Sequence, residues 1–461
     1  MNFYILSLIL LISFFLFFIG KIKAVSIVKK NIKLSALPNY YGYYIALWCA
    51  LPALIIFCVW TLFEPLIVKT LVVKNLSSVD ENALSLVFEQ IISFTKGNFT
   101  GEVDETIKIG SVYYLKLIQL FESSKIVLVS SILIVCSVFA YNKISTKINA
   151  RDQVEKILQG VLFLSSLIAI LTTIGIILSL LFESIKFFSV INISDFLFGT
   201  GWSPQKAFVR DASTITPEEL EKMAEAFGSV PLFAGTGFIA LIAMIVAAPI
   251  GLFSGIFLAE YASSKTRKFT KPIIEILAGI PTVVYGFFAA ITVGPFFREI
   301  GTNFGLDVSS ESALAAGVIM GIMIIPYVSS LSDDVINAVP QSLREGSYAV
   351  GATKSETIKK VVIPAALPGI IGSLLLAVSR AIGETMIVVM AAGLAANLTI
   401  NPLESTTTIT TQIVMILIGD QEFNSPKTQS AFALGLTLFF ATLILNYIAL
   451  RVVKKYREKY D

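Results

Sequence analysis

Apolar residues in this chain gather into runs long enough to cross about 30 Å of hydrocarbon. They fall at roughly 3–20, 41–63, 125–141, 158–182, 232–258, 275–296, 312–331, 367–394 and 431–452. Each predicts a membrane-spanning helix, the third being short and extensible backwards. The expected fold class is therefore an all-α integral membrane protein with about nine transmembrane helices. Residues 1–157 hold three of these spans and a long loop, and 158–461 hold six with denser Gly and Pro.

The polar segments between the runs set a direction. Segments 21–40, 142–157, 263–274, 332–366 and 451–461 carry four or five Lys/Arg each, whereas 297–311 and 395–430 carry one apiece. The two long remaining loops, 64–124 and 183–230, hold few for their length. Basic segments stay in the cytoplasm, so the N-terminus is expected outside and the C-terminus inside. The first run has no basic residue before it, has Lys21 and Lys23 just after it, and lacks a small-residue cleavage site. It reads as a retained anchor. In the second long loop, TPEELEKMAEAF (216–227) predicts a surface helix, with Thr216 and Glu219 at capping-box spacing.

Composition agrees and excludes other classes. Of 461 residues, 55% are hydrophobic and only 15% charged, well below the charge of a soluble chain. The net charge of +3 gives no reason to expect a nucleic-acid partner. There is no histidine, which removes the commonest metal ligand and general base. Cys49, Cys58 and Cys136 lie in apolar runs without metal or redox spacing. No GxxxxGK[ST] phosphate loop or GxSxG elbow occurs. No catalytic residue, metal site or chain-bound cofactor is expected.

The segment VPQSLREGSYAVGATKSETIKKVVIPAALPGI, 339–370, is too long and too well capped for a plain connector. Pro340 suits a first helical position and starts a short helix. Gly351 allows a break. Thr353 with Glu356 caps a second short helix, which Pro364 is expected to stop. Leu343, Tyr348 and Val350 offer apolar contacts. The prediction is a rigid two-helix knob.

This knob resembles the EAA loop of ABC-transporter permeases, the coupling loop here spanning 339–366. Glu345, Gly351 and the Ile363–Pro364 ending match in register, with Gly346 and Ser347 in place of two alanines. FLFGTGWSPQ (196–205), PLFAGTGFIALIAMIVAAPIGLFSGIFLAEYA (231–262), EILAGIPTVVYGFFA (275–289) and SRAIGETMIVVMAAG (379–393) are similar to the phosphate-import (Pst) branch, and within it the PstC type. The likeness covers about 160–455; a weaker one, YYGYYIALWCALPAL (40–54), extends to the N-terminal part. It implies a six-helix ABC importer permease core in the bacterial inner membrane. It also implies a sister PstA-type permease, two ATPase subunits that carry ATP and Mg, and an external phosphate-binding protein. The knob would dock on the ATPase.

Arg380 and Glu384 lie four residues apart in an apolar run, about 40° apart on an unbroken helix, and an arginine at mid-membrane is costly unless it faces protein, water or a counter-ion. On residues alone two readings stand: the two charges neutralise each other, or the guanidinium is presented to a passing oxyanion, for which its planar fork is suited. The match to the RAIGET motif of the family implies the transport role. Thr282 and Tyr285 are further candidates to line the path as neutral donors. Rival functions are an ABC permease for phosphonate, sulfate or molybdate, and an ion-driven secondary transporter.

Overall fold

The computed structural model describes residues 2–29, 34–76, 84–97, 104–145, 148–206, 225–418, 422 and 425–456. Among them, nine helical runs are long and apolar enough to cross a membrane, and each overlaps one of the nine predicted from sequence. The expected capped helix at 216–227 lies largely outside the described residues.

The chain divides into two compact units, Met1–Leu171 and Thr172–Asp461. The expected boundary at 157 falls in the same long helix as the observed one, α5 (Ala150–Phe188).

The first unit is built on α1 (Asn2–Val28), α2 (Pro38–Asn75) and α4 (Glu105–Lys143), with the short α3 (Leu84–Thr95). At about 1.5 Å per residue, α2 and α4 run to nearly 60 Å, twice the hydrocarbon thickness. Three apolar clusters follow one another along them. Tyr41, Tyr44 and Ile45 meet Ala140 and Ile144 at one end. Ile9, Ala53, Val129 and Leu133 fill the middle. Val68, Val72 and Leu76 meet Phe88 and Ile91 of α3 at the other end. The helices α1 and α2 touch backbone to backbone, since a Cβ on Gly42 would lie 2.6 Å from the Phe17 carbonyl.

The second unit centres on α7 (Val230–Ile256) and α11 (Ala313–Asn337), which follow α6 (Ile193–Phe198). Gly251 and Gly255 of α7 face Val328 and Ser332, while Gly317 and Gly321 of α11 face Ile242 and Val246. The pairs advance together, so the helices run parallel. A Cβ at Gly321 would stand 2.9 Å from the Ala243 carbonyl, and this backbone proximity is how membrane helices gain packing without a hydrophobic drive. Around them lie α8 (Ser264–Ala278), α9 (Thr282–Phe288), α10 (Gly294–Asn303), α14 (Ile363–Ile382), α15 (Met386–Ala391), α16 (Ile409–Leu417) and α17 (Pro426–Tyr456).

Several elements differ from the sequence reading: spans two, three and four, expected at 41–63, 125–141 and 158–182, run Pro38–Asn75, Glu105–Lys143 and Ala150–Phe188. Span six runs Thr282–Asn303, because the chain breaks at Gly279 and Pro281 and leaves 275–278 in the amphipathic α8. Span eight runs Lys354–Ile382 rather than 367–394. The segment 395–430, read as a loop, contains α16, an apolar helix capped by Thr408 and too short to cross a membrane.

Candidate functional site

The knob forms from α12 (Gln341–Ala349) and α13 (Lys354–Thr357). Pro340 sits one residue outside α12, as its cap. Gly351 takes φ +86° between the two helices. The Thr353 hydroxyl accepts the Glu356 N–H while the Glu356 carboxylate accepts the Thr353 N–H. Ser347 and Thr357 are hydroxyl to hydroxyl at 2.9 Å, pinning α12 to α13. Leu343 packs inward on Ile336, Val339 and Val362. Glu345 faces out, and Tyr348 and Val350 are 41% and 85% exposed. A Cβ added to Gly346 would meet nothing within 4 Å.

Pro364 does not stop the second helix. After α13 the chain passes through one π-turn, Ile358–Val362, and continues into α14. The wider π geometry fits a proline, which lacks the N–H that a tight helix needs. The knob is thus the start of one helical run of 29 residues, Lys354–Ile382, about 40 Å long. Arg380 lies in the last turn of that run.

What holds the knob was not read from the sequence. Arg344 is buried and makes four hydrogen bonds: Nε and Nη2 donate to Glu260 Oε1 at 3.1 and 2.9 Å, Nη1 to the Val339 carbonyl at 2.6 Å, and Nη2 to the Ile336 carbonyl at 2.8 Å. Glu260 belongs to the π-turn Phe257–Tyr261 that extends α7. One side chain therefore ties the knob to the ends of α7 and α11, where a cation also meets the negative end of a helix. Beside it, fully buried Asp333 accepts from Arg267 and Lys271 of α8, each at 2.8 Å, and from Asn337. Burial opposes the charge of Lys271, but its bonds to Asp333 and Asp334 outweigh that and raise its pKa above the ordinary lysine value. A lone carboxylate ending the apolar run GLFSGIFLAE was the available signal for Glu260.

At the far end of the run, the helix carrying Arg380 ends at Ile382 and Gly383 closes it. Glu384 therefore does not share a helical face with Arg380. Its carboxylate is buried and turned to the backbone, where Oε1 accepts the Met386 and Ile387 N–H groups at 3.1 and 3.4 Å and opens α15. The Thr410 hydroxyl of α16 donates to the Glu384 carbonyl at 2.9 Å. Among the described residues no ion pair joins Arg380 to Glu384. The guanidinium is exposed and stands 5.7 Å from the centre of the Tyr327 ring. Interrupted helices in membrane proteins occur where the free backbone is buried in protein or lines a cavity.

The two neutral candidates separate. Tyr285 is buried in the cluster with Ile387 and Val388, and its hydroxyl donates to the Leu277 carbonyl at 2.9 Å. Thr282 is half-buried, one turn earlier on α9. A Cβ on Gly286 would come within 2.9 Å of the Met386 carbonyl, so α9 sits directly on the segment Glu384 caps. The Thr-rich stretch 404–412 also belongs here: Gln412 accepts from the Trp202 indole at 3.0 Å and donates to the Leu394 carbonyl at 2.9 Å.

Known proteins are similar to this chain in sequence. Residues 5–172 match the family described as "Phosphate ATP-binding cassette transporter", and 247–458 the "Binding-protein-dependent transport system inner membrane component" family. The "Probable ABC transporter permease protein YqgH" of Bacillus subtilis is 32% identical over 62% of this chain and 88% of its own length. The "Phosphate transport system permease protein PstC" of Mesorhizobium japonicum is 32% identical over 55% of this chain and 81% of its own. That of Haemophilus influenzae is 28% identical over 66% and 95%. The chain belongs to the PstC-type ABC-transporter permeases. Within this PstC-type permease the Arg344 anchor and the Arg380 break fall in the stretch matched by the inner-membrane-component family, and the first unit falls in the other match.

Proposed function

We propose that this chain is the translocating subunit of an ATP-driven importer of inorganic phosphate, working beside a sister PstA-type permease. Two ATPase subunits bind ATP and Mg and hydrolyse the nucleotide, and an external binding protein delivers the anion. The N-terminus lies outside and the C-terminus in the cytoplasm, as the basic segments favour. The observation that carries the reading is one helical run that begins in the knob and ends at Ile382, with Arg380 in its last turn. A docked ATPase pulling on α12 and α13 would move the arginine at the other end of the same rod.

The chemistry of the break suits reversible anion binding. An exposed guanidinium offers a planar fork of donors to a phosphate, and its neighbour is the Tyr327 ring, 5.7 Å away at its centre, in place of a competing carboxylate. With Glu384 bonded to the backbone, the cation is held back for the travelling anion. Glu345, Tyr348 and Val350 present a charged and apolar face to the ATPase. Thr282 is the remaining neutral donor near the break, and Tyr285 supports the path through its packing.

The test is uptake of labelled phosphate by proteoliposomes holding the full complex, with ATP on the ATPase side and the binding protein on the other. Uptake is expected only with all components, and excess sulfate or molybdate should not compete. Transport of those oxyanions instead of phosphate would reassign the substrate. Uptake persisting without the ATPase subunits would sink the ABC reading in favour of an ion-driven carrier.

A further inference from the structure

The first unit contains a cavity with charged side chains in its lining that the transport reading does not use. It offers about 650 Å³, is open on one side, and is lined by residues of α1, α2, α3 and α4. At its wall Lys125 of α4 is 2% exposed, donating to Glu64 of α2 at 2.6 Å and to the Asn2 side chain at 3.0 Å. Lys69 and Glu122 also line it, so among the described residues two cations and two carboxylates meet in one space, with Phe3, Pro65, Phe88 and Ile118 among the apolar lining.

Its depth narrows what it can hold. The opposite end of this unit carries the marks of a membrane interface: the Lys23 ammonium lies 3.6 Å from the centre of the Tyr141 ring, Lys143 lies over the Phe139 ring, and Tyr41 and Tyr44 pack with Ala140 and Ile144. Lysines and tyrosines anchor helices at headgroup level. From Tyr41 to Glu64 along α2 is about 34 Å of helix, one hydrocarbon thickness. The stretch between is apolar, packed through Ile9, Ala53 and Leu133. The cavity therefore opens at the headgroup level of the other leaflet, and α3 roofs it from the aqueous side through Phe88 and Ile92. Beside it Phe3, Leu62 and Leu66 are 76%, 73% and 66% exposed, an apolar flank for acyl chains.

A buried lysine–glutamate pair is a weak source of stability, because desolvation offsets the attraction. Here it sits beside open volume, with one of the three ammonium donors beyond those bound by Glu64 and Asn2. We propose that the cavity is a headgroup site for a zwitterionic aminophospholipid. The phosphodiester would meet Lys125 and Lys69, and the primary ammonium would meet Glu64 and Glu122. The balance of two charges of each sign favours a zwitterion over an anionic lipid or free phosphate, which would face both carboxylates.

The experiment is native mass spectrometry of the full chain in detergent, titrated separately with phosphatidylethanolamine, phosphatidylglycerol and inorganic phosphate. Phosphatidylethanolamine should be retained about tenfold better than phosphatidylglycerol, the worth of one charge-assisted hydrogen bond. Inorganic phosphate should not displace it. Lys125→Met combined with Glu64→Leu should abolish the preference. Lys69→Gln with Glu122→Gln changes only the rim, keeps the buried pair, and should reduce the preference severalfold even if the first variant does not fold. Equal retention of both lipids, displacement by inorganic phosphate, or an unchanged preference in the rim variant would overturn the assignment.

Discussion

Arg344 and Arg380 belong to the same unit and meet opposite fates. Arg344 is buried, bonded to Glu260 and to two helix-end carbonyls. Arg380 is exposed beside an aromatic ring, while the carboxylate nearest in sequence caps a helix. A buried, saturated arginine fixes geometry, whereas an exposed one is available to bind. The helical run Lys354–Ile382 begins in the knob that Arg344 anchors and ends just beyond Arg380. In the proposed importer, the end meant for the ATPase would be held rigid and the end meant for the anion kept open.

The contrast breaks most severely at Arg344. Arg344→Met strands the buried Glu260 and should cost about 3–5 kcal/mol, the penalty of an uncompensated buried charge. Thermal unfolding in detergent would read it, together with loss of ATPase copurification. Adding Glu260→Leu should restore most of the stability. If the single variant unfolds like wild type, the anchor is not structural.

Next comes Arg380→Gln, which should abolish phosphate uptake with unfolding within about 0.5 kcal/mol of wild type, as for an exposed substitution. Retained uptake would remove Arg380 from the path. Glu345→Lys should leave the fold intact and uncouple ATP hydrolysis from uptake, since Glu345 faces out of the knob; normal coupling ratios would argue against docking there.

Smaller effects sharpen the other side. Glu384→Ala removes the acceptor for the Met386 and Ile387 N–H groups and should cost about 1 kcal/mol, the usual loss of a cap, whereas Glu384→Gln keeps an acceptor and should cost less. Equal losses would mean the charge matters more than the cap. Gly346→Ala, in open space within α12, should stabilise by about 0.5–1 kcal/mol through helix propensity with uptake unchanged.

How much of this was legible depended on range. The nine spans, the two short knob helices and the Thr353–Glu356 cap are local patterns of hydropathy and capping. The expected stop at Pro364 failed because a π-turn absorbs the missing donor, a geometry that no proline rule anticipates. Treating 379–393 as continuous helix put Arg380 and Glu384 on one face, but Gly383 ends the helix between them. The buried role of α16 went unread because its nine residues fall short of a span.

By itself the sequence determined that this chain lives in a membrane, roughly where its long apolar helices lie, and that two short helices interrupt the 332–366 segment. Those follow from apolar run length and from caps three residues apart. Only the tertiary structure decided which charges meet. Glu260 reaches Arg344 across 84 residues and Asp333 reaches Lys271 across 62, partners that no local spacing encodes. Glu384, four residues from an arginine, bonds to backbone instead, because a broken helix leaves N–H groups that must be satisfied first.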